Sequence, residues 1–67
     1  MDIRRRIGLN VQRLRGDKGW SQERLAEEAN LHRTYISGVE RGVRNPTVTV
    51  LAKIAIALDE PLAQLVT

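Results

Sequence analysis

An all-α domain of five short helices is the fold this sequence predicts, and three observations predict it. Apolar residues recur at helical spacing along the chain, and nowhere do they alternate long enough for a sheet. Capping and helix-ending residues fall between the periodic segments, and both prolines, Pro46 and Pro61, lie outside them. Finally, 67 residues without a cysteine allow one compact domain, 1–67, with no disulfide or cysteine-based zinc site to staple it. A domain of about 60 residues buries only roughly 60% of the surface its unfolded chain exposes, so the core has to be economical.

The first helix is expected from Ile3 to Lys18, with Asp2 as its N-cap. Ile3, Ile7, Val11 and Leu14 lie on one face of it. Gly19 supplies the left-handed residue that ends it. Ser21 caps the second helix, Gln22 to Ala29, and Trp20 pairs with Leu25 as a hydrophobic staple. Leu25, Ala26 and Ala29 face the core. Asn30, which tolerates the left-handed conformation well, turns the chain into a third helix from Arg33 to Arg41. That helix buries Ile36 and Val39 and stops at Gly42. After the loop Val43-Arg44-Asn45-Pro46, Thr47 caps a fourth helix with the broad stripe Val50, Leu51, Ile54, Ala55 and Leu58. Asp59-Glu60-Pro61 breaks it, and Leu62, Leu65 and Val66 predict a last turn or two of helix.

Several function classes drop out. The densest apolar stretch, Val48 to Leu58, is far shorter than the ~20 residues of a membrane span. The start Met1-Asp2-Ile3-Arg4-Arg5-Arg6 leads into no apolar run, so no secretory signal and no membrane partner are expected. Catalysis has no foothold: Ser21 and Ser37 are explained by capping and surface contact, and no phosphate loop or zinc-protease pattern occurs. The single histidine, His32, makes no metal site, and no cofactor is expected. The expectation is a cytoplasmic protein that is not an enzyme.

The informative stretch is Gln22 to Gly42. Two helices of roughly eight residues are joined at Asn30-Leu31-His32, a turn too tight for an antiparallel hairpin. Small Ala26 permits close approach, and Ile36 and Val39 lock the pair on the core. That is helix-turn-helix spacing, in which the second helix enters the DNA major groove with its N-terminal residues at the bases.

At these residues the sequence resembles a known family. Trp20-Ser-Gln-Glu-Arg-Leu-Ala-Glu-Glu-Ala-Asn-Leu, Tyr35-Ile-Ser-Gly-Val-Glu-Arg-Gly and Arg44-Asn-Pro-Thr look like the XRE/lambda-repressor-like helix-turn-helix proteins. The run His32-Arg-Thr-Tyr-Ile-Ser-Gly-Val-Glu-Arg is most similar to the controller proteins of restriction–modification systems, with phage-type repressors and antitoxins next. Asn30 and Asp59 stand where the family often has glycine.

The resemblance implies a bacterial or phage-encoded, nucleoid-associated transcriptional regulator that binds double-stranded DNA. Arg33, Thr34 and Ser37 become the base-reading residues, since arginine can bond guanine O6 and N7 together. Gln22, His32, Tyr35, Arg44 and Asn45 become phosphate contacts, Gln22 through its helix N-terminus and His32 as either a cap or a contact. Arg15 and Glu40 are implied as a structural ion pair. Gly38, unfavourable inside a helix by about 1 kcal/mol, allows close approach either to DNA or to another helix. Arg4-Arg5-Arg6 reads as a solvated face, because successive helical residues diverge by about 100°. Phosphate contact is its alternative.

One recognition helix covers too few base pairs to select a site in a genome, so a homodimer on a pseudo-palindrome is expected. Val48, Ile56, Leu62, Leu65 and Val66 are the interface candidates, and RNA polymerase is a further candidate partner. The competing class is a protein-interaction module that uses the helix-turn-helix as scaffold. The net charge of +3 decides little, but its placement favours DNA. Residues 32–46 carry Arg33, Arg41 and Arg44 against Glu40 alone, whereas residues 22–30 carry Arg24 against three glutamates.

Overall fold

Asp2 starts the first helix as expected: its carboxylate accepts the Arg4 backbone N–H at 2.9 Å. In this computed structural model, which describes residues 2–67, α1 spans Ile3–Asp17. The Trp20 N–H closes it onto the Arg15 carbonyl at 3.1 Å, with Gly19 left-handed at φ +70. Ser21 Oγ accepts from Arg24 N–H at 3.0 Å and opens α2 (Gln22–Ala29). Asn30 takes φ 56 and ψ 48, which swings the chain into α3 (Arg33–Glu40). Gly42, at φ +76, ends that helix. Thr47 Oγ1 accepts from Val50 N–H at 3.2 Å and begins α4 (Val48–Leu58). Asp59 ends α4 with φ 57, and α5 (Ala63–Val66) completes the five.

The helix ends α1 and α3 fall one residue short of expectation, at Asp17 and Glu40. In both cases the following residue already carries the cap N–H bonds back into the helix.

The core combines Ile7, Val11 and Leu14 of α1 with Leu25, Ala26 and Ala29 of α2 and Ile36 and Val39 of α3. Leu51, Ile54, Ala55 and Leu58 of α4 and Leu65 of α5 close it. Each fully buried Leu or Ile contributes about 1.5–3 kcal/mol relative to exposure. Trp20 packs on this core, as the staple predicts, with Lys18 and Arg24 over its ring at 5.2 and 4.9 Å.

Two expectations are corrected. Ile3 is half exposed rather than buried, because packing on α1 begins one turn later, at Ile7. Leu65 is not free for a partner: it is 0% exposed, since α5 lies on α1 and Asn10 Nδ2 donates to the Leu65 carbonyl at 2.9 Å.

Gly8 explains how closely α1 and α3 approach. A Cβ there would lie 2.5 Å from the Glu40 carbonyl oxygen and 2.6 Å from that of Val39. Both obstacles are backbone, so no side-chain adjustment could make room.

Candidate nucleic-acid interface

The left-handed Asn30 and the bond from Leu31 N–H to the Ala26 carbonyl at 2.9 Å fix the angle between α2 and α3. With Ile36 and Val39 turned inward, Arg33 and Thr34 stand exposed at the start of α3. Ser37 and Tyr35 are half buried on its flank, and Arg44 and Asn45 are exposed in the loop after it. Arg33 Nε lies 3.9 Å from Glu23 Oε1, with both side chains largely in water, so this pair restrains the arginine only weakly.

His32 occupies the N-cap position of α3 but makes no side-chain cap bond. The capping alternative is therefore set aside, and the ring is left exposed at the open end of the helix. Gln22 sits at the first position of α2, next to the Ser21 cap. Its side chain is already committed, with Nε2 donating to Glu40 Oε1 at 2.9 Å. What Gln22 can still offer outward is the N-terminal end of its helix.

Glu40 is the buried hub behind this surface. Arg15 Nε donates to its Oε2 at 2.7 Å and Arg15 Nη2 to its Oε1 at 3.0 Å. Arg15 Nη1 reaches the Trp20 carbonyl at 2.8 Å, and Gln12 Nε2 reaches the Glu40 carbonyl at 2.9 Å. One carboxylate thus joins α1, the start of α2 and the end of α3. The hydrogen bond to Glu40 raises the Arg15 pKa, outweighing partial burial. Among the described residues no buried side-chain polar atom lacks a partner. Gln12 and Gly8 were not singled out by the sequence; Gly8 carries the same signal as Gly38, a glycine inside a helix.

Gly38 faces neither another helix nor open space. A Cβ there would meet Arg44 Cγ at 2.5 Å. The Gly38 carbonyl also accepts the N–H groups of Val43 at 3.0 Å and Arg44 at 3.2 Å. The Arg44 guanidinium then lies over the Tyr35 ring, 5.4 Å from its centroid. Within the N-terminal basic run, Arg4 is drawn to Asp2, Nη2 to Oδ2 at 2.8 Å. The Arg4 hydrogen bonds lower the Asp2 pKa.

Of the interface candidates, Val48 and Ile56 are 70% and 79% exposed, and Leu62 and Val66 are also open. No helix among the described residues is long and apolar enough to cross a membrane.

The chain is similar to known proteins over nearly its whole length. The control protein C.SmaI of Serratia marcescens is 45% identical over 67 residues, 100% of this chain and 80% of that protein. The restriction-modification controller protein C.AhdI from Aeromonas hydrophila has a TM-score of 0.90 at 42% identity, covering 92% of this chain and 94% of that one. The controller protein C.Esp1396I, solved as a tetramer in complex with its natural 35 base-pair operator, has a TM-score of 0.86 at 38% identity, covering 91% of this chain and 80% of that one. The model of the family described as "Helix-turn-helix" matches residues 11–65, from the middle of α1 to the end of the core. With α2 and α3 forming the motif on a lambda-repressor-like scaffold, this chain belongs to the helix-turn-helix family of XRE type.

Proposed function

We propose that the chain is a transcriptional regulator that binds double-stranded DNA sequence-specifically as a homodimer, and that it is a controller of restriction–modification genes. The observation that carries the reading is the exposed start of α3. Arg33 and Thr34 project from a helix whose opposite face is locked in the core, and Arg44 and Asn45 flank them. The similarity to controller proteins, one of them bound to its operator, supports the same reading.

Arg33 reads guanine, Thr34 bonds a base or phosphate, and Ser37 reaches the groove one turn further on. Tyr35, Arg44, Asn45, His32 and the α2 end at Gln22 bind phosphates and set register. Val48, Ile56, Leu62 and Val66 supply the surface for a second copy. Two recognition helices about one helical turn apart, ~34 Å, then read a pseudo-palindrome. The protein acts in the cytoplasm of a bacterium and carries out no catalysis of its own. RNA polymerase is a further candidate partner at the promoter it controls.

Duplex binding measured across a salt series tests this. Binding should weaken steeply, with log affinity falling linearly against log salt by about 0.9 per phosphate neutralised. Absence of binding to any duplex at low salt would refute the reading and leave the scaffold for a protein partner.

A further inference from the structure

We infer that Gly38 is a positioning residue: by lacking a side chain it seats Arg44 across α3, so that the phosphate-binding guanidinium is held in place before DNA arrives. The inference rests on the DNA-binding reading and concerns how that surface is prepared.

Three observations meet at this position. First, glycine inside α3 is unfavourable for the helix, so something has to offset it. Second, the three atoms nearest to a Cβ added at Gly38 all belong to Arg44: Cγ at 2.5 Å, Nε at 3.4 Å and Cδ at 3.5 Å. No backbone and no core side chain is among them. The space vacated at residue 38 is therefore taken first by the side-chain stem of Arg44, a loop residue that is exposed as a whole. Third, both ends of that stem are fixed. The Arg44 N–H bonds the Gly38 carbonyl at 3.2 Å, and the guanidinium lies over the Tyr35 ring at 5.4 Å. Tyr35 and Gly38 are three residues apart on α3, hence on one side of the helix. Together they form a seat for the arginine.

An arginine on a free loop would lose rotamer freedom on meeting a phosphate, and that entropy would subtract from affinity. Here the loop arginine is ordered by a glycine saddle and an aromatic face. A methyl group at residue 38 would leave the helix intact and lift Arg44 off its seat.

The test pairs NMR of the free protein with a double-mutant cycle on a duplex selected from a random library. In the wild type, the Tyr35 ring current should shift the Arg44 side-chain protons upfield, and Gly38→Ala should abolish that shift. Gly38→Ala should stay folded and melt close to wild type, because alanine's helix preference offsets the contacts that Arg44 gives up. On the duplex, Gly38→Ala should weaken binding about tenfold, as does the loss of one charge-assisted contact, yet change nothing in an Arg44→Ala background. Additive losses from Gly38→Ala and Arg44→Ala, unchanged Arg44 shifts, or an unfolded Gly38→Ala protein would overturn the assignment. Failure of the wild type to bind any duplex would instead sink the DNA reading, with the NMR result still reporting on the seat.

Discussion

Arg15 and Glu40 face each other across the α1–α3 contact as a two-point pair, Nε to Oε2 at 2.7 Å and Nη2 to Oε1 at 3.0 Å. The glutamate side chain is 2% exposed and the arginine 21%. Removing one partner strands a buried charge, which costs about 3–5 kcal/mol. Arg15→Ala, which leaves Glu40 as that charge, is therefore expected to lower Tm by roughly ten degrees or more, given about 4–8 °C per kcal/mol in a domain of this size. Glu40→Gln should lower it by less, because the arginine it leaves reaches solvent. Arg15→Met combined with Glu40→Met should lose less than the two single changes together, since no unpaired charge remains. The pH dependence follows from the raised Arg15 pKa. A cation whose pKa is higher in the folded state stabilises fully below its unfolded value and is lost only as pH rises through the folded one. Arg15 therefore contributes no slope to the melting temperature from neutral to mildly alkaline pH, and circular dichroism melts across that interval check it.

The caps and turns of this fold were legible because each depends on a local chemical choice. Asp2, Ser21 and Thr47 each accept the expected backbone N–H, and Asn30 takes the left-handed conformation assigned to it. The exposed start of α3 followed from Ile36 and Val39, whose spacing fixes which side of the helix looks outward. Features that depend on how elements meet were not legible. Leu65 and Val66 are neighbouring apolar residues of the last turn, and only the fold of α5 onto α1 separates the buried one from the open one. Gly38 was ambiguous for the same reason, since its neighbour, Arg44, comes from a loop whose path no periodicity describes. Ile3 matched the helical stripe, but a stripe does not tell where packing begins.

Arg33 and Arg44 should separate base choice from backbone affinity. Arg33 projects from the start of α3, where a guanidinium can meet a guanine edge, so Arg33→Ala should cost about 1–3 kcal/mol on the cognate duplex and relax selection there. Arg44 sits beside the helix in the following loop, so Arg44→Ala should weaken cognate and random duplexes alike and reduce the salt slope by about 1. Competition binding on both duplexes at several salt concentrations distinguishes them. Equal losses from both variants on both duplexes would show that Arg33 does not read sequence.

The assembly prediction turns on which apolar residues the single chain consumes. Leu65 is fully buried, so Leu65→Asp should unfold the domain, and even Leu65→Ala should cost about 2–5 kcal/mol. Ile56 is 79% exposed on α4, beside no core position it must fill. Placing a charge there costs the monomer little, whereas like charges brought together across a two-fold interface repel and lose the apolar contact. Ile56→Asp is therefore expected to keep the wild-type circular dichroism spectrum and Tm at low concentration while sedimenting as a monomer. Its affinity for a full pseudo-palindrome should fall toward that for a single half-site. A variant that sediments like wild type would move the interface away from α4, and Val48→Asp, on the first turn of the same helix, then reports whether the whole face is uninvolved.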